Sequence, residues 1–311
     1  MHIIKDDVYT ELVNLCSKYG NAPKLVKTSS AFLYFVRGKI MEENYKKTTE
    51  KEILAVSFGT SYNDSREKTI GAIELELIKE YPDYEVCRAF TSQVIIDKLR
   101  KRDGTKINNV TEALEEAFLK GVKELIIQPT HLLNGYEYMD LADEVKKYKD
   151  KFEKLSLAKP LLTDESDFVK VADAIIKMTE VYNKYDTAVC FMGHGTGAAA
   201  NDVYEKLQYM LFERGYKNYY VGTVEAKPDI DDLIKCVKKG SYGEVVLLPL
   251  MIVAGDHANN DMAGNDKESW KKRFEEEGYK VTCILNGLGE NSDIRKIFTE
   301  HTYSAIRSFK D

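Results

Sequence analysis

Three observations predict an α/β protein built from two similar halves, each a parallel sheet covered by helices. Apolar runs of strand length lack polar alternation, as expected of strands buried on both faces. They alternate with amphipathic stretches, and the whole cycle starts again beyond residue 160. Glu124, Pro129, Gly135 and Glu137 are each followed 120 positions later by Glu244, Pro249, Gly255 and His257, which suggests duplication.

In the first half, residues 52–160, "EILAVSFG" reads as a buried strand. "DSREKTIGAIELELIKEYP" then places Ile70, Ile73, Leu77 and Ile78 at helical spacing and stops at Pro82. "YEVCRAF" is a strand, "SQVIIDKLRKRDG" a helix ending at Gly104, and "NVTEALEEAFLKG" a second helix. "VKELIIQPTHLL" and "KLSLAKPLL" complete the strands of this half. The helix "SDFVKVADAIIKMTEVYNKY" is expected to open on a Ser166 cap.

The second half, residues 161–311, repeats the order. "TAVCFMGHG", "NYYVGTVE", "EVVLLPLMIV" and "KVTCILNGLG" are its strands. "AANDVYEKLQYMLFERG", "DIDDLIKCVKKG", "KESWKKRFEEEG" and "NSDIRKIFTEHTYSAIRSF" are its helices, the last expected to pack on the first half. Residues 1–51 fall outside this rhythm and read as a helical N-terminal extension, a cap or an oligomer contact.

The formal charge of −6 argues against a nucleic-acid or anionic-membrane binder. No window reaches the roughly 20 apolar residues that span a bilayer, and acids occupy the place of a signal peptide's basic region. A cytoplasmic protein follows as the expectation. The five cysteines, Cys16, Cys87, Cys190, Cys236 and Cys283, are widely spaced without a C-x-x-C pair and read as reduced structural residues.

Ligands of open parallel sheets bind beyond the carboxyl ends of the strands. In the second half those ends carry His194 in "GHGT", Glu225 in "GTVE" and His257 in "AGDHANNDM", where His257 lies between Asp256 and Asp261. Two imidazoles and a carboxylate suit a divalent first-row metal, and three ligands leave the open positions of a catalytic or delivery site. The alternative for each histidine is a hydrogen-bonded loop residue. His131 reads equally as a satisfied buried histidine, Glu137 as a second cleft acid or a loop carboxylate, and His2 and His301 as incidental. "SFGTSYNDS" offers Ser57, Thr60 and Ser61 before a helix start, a natural anion site. The glycine patterns of nucleotide loops are missing, so no nucleotide is expected.

At "ILAVSFGTS", "RAFTSQVIIDKLRKRDG", "FMGHGTG", "VGTVE" and "LPLMIVAGDHANNDMAGNDKESWKKRF", the chain resembles the anaerobic, class II cobaltochelatases of the sirohydrochlorin type (CbiK-type). The likeness runs from about residue 52 to the C-terminus; typical members begin near the first strand. It implies two Rossmann-like halves related by pseudo-symmetry, with a cleft between them. It implies ATP-independent insertion of Co2+ into a sirohydrochlorin-type tetrapyrrole on the anaerobic cobalamin route, with Fe2+ or Ni2+ as the metal of relatives. His194, Glu225 and His257 match the family's metal-handling positions. Ser57, Thr60, Ser61, Thr91 and Ser92 are the expected hydrogen-bond donors to the ligand's carboxylates. A homo-oligomer is expected. A ferro- or nickel chelatase and a non-catalytic metal or haem carrier are the alternatives.

Overall fold

The computed structural model describes residues 50–309, so the expected N-terminal helices, His2 and Cys16 lie outside the described residues. The first sheet holds β1 (Lys51–Ser57), β2 (Glu85–Phe90), β3 (Asn108–Asn109), β4 (Glu124–Pro129) and β5 (Lys154–Leu157), in the order β3-β2-β1-β4-β5. The second holds β6 (Thr187–Gly193), β7 (Tyr219–Thr223), β8 (Glu244–Pro249) and β9 (Lys280–Cys283), in the order β7-β6-β8-β9. Every pairing is parallel.

The helices in chain order are α1 (Asn63–Arg66), α2 (Ala72–Glu80), α3 (Gln93–Asp103), α4 (Val110–Leu119), α5 (Tyr136–Lys146) and α6 (Glu165–Thr179). They continue as α7 (Asp202–Glu213), α8 (Ile230–Val237), α9 (Trp270–Glu276) and α10 (Ser292–Arg307). A π-helical turn, Glu67–Gly71, joins α1 to α2.

Strand alternation explains how the layers stack, because successive side chains point to opposite faces. Ile53 and Ala55 of β1 face a core shared with Val189 and Phe191 of β6. Helices α2, α6, α7 and α10 fill that layer through residues such as Leu77, Ile175, Leu207 and Phe298. Leu54 and Val56 face the other way, toward Leu114 of α4 and Leu141 of α5. Cys190 and Leu247 do the same toward Leu233 of α8 and Trp270 of α9. The last helix lies on the first sheet, where Thr302 donates to Gln128 of β4 across 2.7 Å.

Two expectations change. The strands read through "QPTHLL" and "PLMIV" close at Pro129 and Pro249, since proline offers the ladder no N–H. His131 therefore stands in the loop after β4. The cap of α6 is Asp164 rather than Ser166, because the Asp167 carboxylate accepts from the Thr163 and Asp164 N–H groups and fixes the earlier start. The two-residue strand β3 had no sequence signal of its own. His301 is buried and structural: its ring bridges the Asp167 carboxylate and the Lys159 carbonyl.

Candidate metal centre

The two sheets share one switch of strand order. β1 lies between β2 and β4, and β6 lies between β7 and β8. A crevice opens at such a point beyond the carboxyl ends of the strands. In the second half, β6 delivers His194, β7 delivers Glu225 two residues past its end, and β8 leads through Gly255 to His257. Glu225 is drawn beside His194 by the backbone: its N–H donates to the His194 carbonyl across 2.9 Å. Gly195 has φ +86°, and a Cβ there would come within 2.8 Å of the Ala226 nitrogen, so a side chain is excluded from this turn.

The three residues meet. One ligand atom each from His194, Glu225 and His257 lies within 4.8 Å of the others. The two imidazoles stand edge to face with ring centroids 4.7 Å apart, and His194 Nδ1 is 3.8 Å from Glu225 Oε2. All three reach solvent; the side chains of His194 and His257 are 44% and 32% exposed. An open trio of this composition can hold a borderline divalent ion and leave positions for a second ligand.

Asp261, close to His257 in the sequence and without a role there, is brought to the candidate site by the fold. His257 caps a π-helical turn, Ala258–Met262, which brings the Asp261 carboxylate four residues on to 2.6 Å from His257 Nδ1. A carboxylate there holds the proton on Nδ1 and turns Nε2 outward as a ligand. Tyr62 of the first half reaches across to Asp256, its hydroxyl 3.4 Å from Oδ1. Burial, then the Asp256 charge, pushes the Tyr62 phenol up from its ordinary value.

The halves meet through reciprocal contacts. A Cβ built on Gly255 would stand 3.4 Å from Thr60 Oγ1, and one built on Gly135 would stand 3.6 Å from Thr196 Oγ1. Thr60 accepts from the Tyr62 N–H and Thr196 from the Ala198 N–H, each across 3.2 Å. Ser57, Thr60 and Ser61 are buried. Ser57 Oγ accepts from Thr130, so the hydroxyls of Ser57 and Thr60 are engaged inside the loop. Ser92 caps α3, and the Thr91 hydroxyl is buried without a partner.

His131 departs from the satisfied histidine considered above. It is buried, neither ring nitrogen has a hydrogen-bond partner, and burial pushes its pKa down to about 4. Its Nε2 lies 3.9 Å from the Glu137 carboxylate. Glu137, in the first turn of α5, is within electrostatic reach of His194 and Glu225 and therefore faces the same crevice. Desolvation raises its pKa above the usual carboxylate range, even though half of its side chain meets water.

Two parallel sheets with facing switch points define the class of two-lobed chelatase folds. SirB from Bacillus subtilis, solved with Fe3+, shares this fold with a TM-score of 0.60 at 14% identity, covering 84% of this chain and 98% of that one. The chain belongs to the cobalt chelatase (CbiK) family, whose model matches residues 51–307. It is 41% identical over 257 residues to the sirohydrochlorin cobaltochelatase of Salmonella typhimurium, covering 83% of this chain and 97% of that protein. It is 32% identical over 265 residues to sirohydrochlorin cobaltochelatase CbiKC of Nitratidesulfovibrio vulgaris, covering 85% and 93%. Among the described residues, no helix is long and apolar enough to cross a membrane.

Proposed function

We propose that this protein is a sirohydrochlorin cobaltochelatase, inserting Co2+ into the macrocycle without ATP. The observation that carries this reading is the convergence of His194, Glu225 and His257 in a chain of the cobalt chelatase family. Both metal and tetrapyrrole are substrates: the ion enters, a metallated ring leaves, and two pyrrole protons are released.

His194, His257 and Glu225 bind the ion through neutral imidazoles and a carboxylate, which compete with its water but leave it exchangeable. Asp261 keeps His257 aimed. Glu137, on the opposite wall, takes a pyrrole proton. Burial raises its carboxyl above its ordinary value, the direction that favours accepting a proton. Tyr62 ties the rims of the two halves together across the cleft. Ser92, half-buried at the head of α3, meets a carboxylate of the macrocycle, while Ser57, Thr60, Ser61 and the buried Thr91 hydroxyl shape the loop beneath.

The test is anaerobic absorbance spectroscopy with sirohydrochlorin and protoporphyrin, each offered Co2+, Fe2+ and Ni2+. The fastest initial rate is expected for Co2+ with sirohydrochlorin. His257→Ala should lose about 100-fold or more of that rate with unchanged circular dichroism. A His257→Ala protein working at the wild-type rate removes the trio from the mechanism. A stop near one metallated ring per chain would instead identify a carrier.

A further inference from the structure

The amino-terminal ends of β1 and β2 carry a cluster that the chelatase reaction does not use. We infer that Glu52, Glu85 and Cys87 form a second divalent-cation site, which takes a borderline metal such as Co2+ or Zn2+ through one thiolate and two carboxylates.

The register of the sheet makes the site. Glu52 of β1 pairs with Glu85 of β2 and Leu54 pairs with Cys87, so the two acids and the thiol project from one face. One donor atom from each lies within 4.8 Å of the others. The Cys87 thiol already donates to Glu85 Oε1 across 3.7 Å.

Glu52 supplies the independent sign of a missing ligand. It is 2% exposed, and its Oε2 is buried with no hydrogen-bond partner. A buried carboxylate oxygen in that state is costly, and burial pushes the Glu52 pKa up to about 7; a cation bound there would hold the group ionised instead. The ammonium at hand, Lys120, bonds Glu116 at 2.9 Å and stands 3.8 Å from Glu85. One positive charge thus serves three acids.

Ligand–metal distances of about 2.0–2.3 Å put neighbouring tetrahedral donors roughly 3.5 Å apart. Cys87 Sγ and Glu85 Oε1, 3.7 Å apart, are already close to that spacing, and the other pairs, within 4.8 Å, reach it by closing little more than about an ångström at most. Glu85 and Cys87 are only partly buried, so they have room to move and leave a path for the ion. Binding forms a metal–sulfur bond and releases the thiol proton to buffer, with no change of oxidation state. The strands carry the site roughly 15–20 Å from the cleft, at about 3.3 Å per residue.

The proposal is independent of the insertion reaction, and its signature is sulfur. The candidate site in the cleft contains no thiolate, whereas Co2+ bound at Cys87 gives a near-ultraviolet thiolate-to-metal charge-transfer band. Anaerobic titration of the purified full chain with Co2+ should show that band in the wild type and in His257→Ala alike. Cys87→Ser should lose the band and one bound equivalent while inserting Co2+ at the wild-type rate. Glu52→Gln should weaken the sulfur-linked equivalent about tenfold or more, and Lys120→Gln should tighten it. A wild type without the band overturns the site, as does a band that survives Cys87→Ser. If Cys87→Ser does not fold, wild-type affinity in Glu52→Gln overturns it equally.

Discussion

The two halves share a backbone and differ in what it carries. The sheet registers make β1 equivalent to β6, β2 to β7 and β4 to β8. Thr91 and Ser92 donate to the carbonyls of Ser57 and Phe58 just as Val224 and Glu225 donate to those of Gly193 and His194. Gly59 and Gly195 both adopt positive φ at the same place in the loop. By this correspondence His194, Glu225 and His257 stand opposite Phe58, Ser92 and Glu137. One rim therefore presents the three candidate metal ligands and the other an aromatic ring, a helix cap and a single acid. The difference teaches that matching loops supply position while a few residues set their chemistry; on the proposed assignment they divide the labour between a metal face and a proton-accepting face.

The largest expected effect exchanges a residue between halves. His131 corresponds to Met251 through the same 120-residue offset. Its pKa of about 4 lies below the ordinary 6.5, so the fold favours the neutral ring. That contribution to stability is present above pH 6.5 and is lost as pH falls through 4. A shift of this size corresponds to roughly 3 kcal/mol. His131→Met should therefore shrink the stability difference between pH 7 and pH 4 by about that amount, measured by urea unfolding. Parallel curves for variant and wild type would show that His131 finds a compensating partner.

Glu137→Gln probes the division directly. If the first half accepts protons and the second holds the ion, this variant should lower kcat about 100-fold while Co2+ affinity stays unchanged. Glu225→Gln should do the reverse, weakening Co2+ binding first. Equal losses of kcat and Co2+ affinity in both variants would merge the two faces into one.

Much of this was legible without coordinates, for a physical reason. Buried parallel strands are apolar throughout, so "TAVCFMG" and "EVVLLP" announce themselves, and whatever follows a strand must lie at its carboxyl end. Hence His194, Glu225 and His257 were readable as neighbours. Glu137 stayed open between cleft acid and loop carboxylate, since its direction depends on how the halves face one another. The hydroxyls of Ser57 and Thr60 have the right chemistry for an anion, yet burial commits them to the loop. His131 misled because a strand was read through Pro129. The cluster at Glu52 was invisible because its members come from two strands whose pairing register only the structure supplies.

Asp261 gives the smallest effect and the sharpest test of the metal face. Residues 254–262 read as loop, with Gly255 at one end and Asn259 and Asn260 within, so no helical spacing was evident. Once the chain winds into a π-helical turn, Asp261 comes beneath His257 and meets Nδ1 at 2.6 Å. The corresponding stretch of the first half runs into α5, where Leu141 at the matching position is buried in the outer core. A carboxylate in this position thus belongs to the candidate metal face alone. Loss of such a carboxylate behind a metal-binding imidazole typically costs about 10–100-fold in affinity. Asp261→Asn should fall near the lower end, about tenfold, because the amide still accepts a hydrogen bond through its oxygen. Its kcat at saturating Co2+ should change less than that of Glu137→Gln. Calorimetric Co2+ titration beside insertion kinetics separates the two, and a large kcat loss with intact affinity would move Asp261 from aiming the ligand to handling the proton.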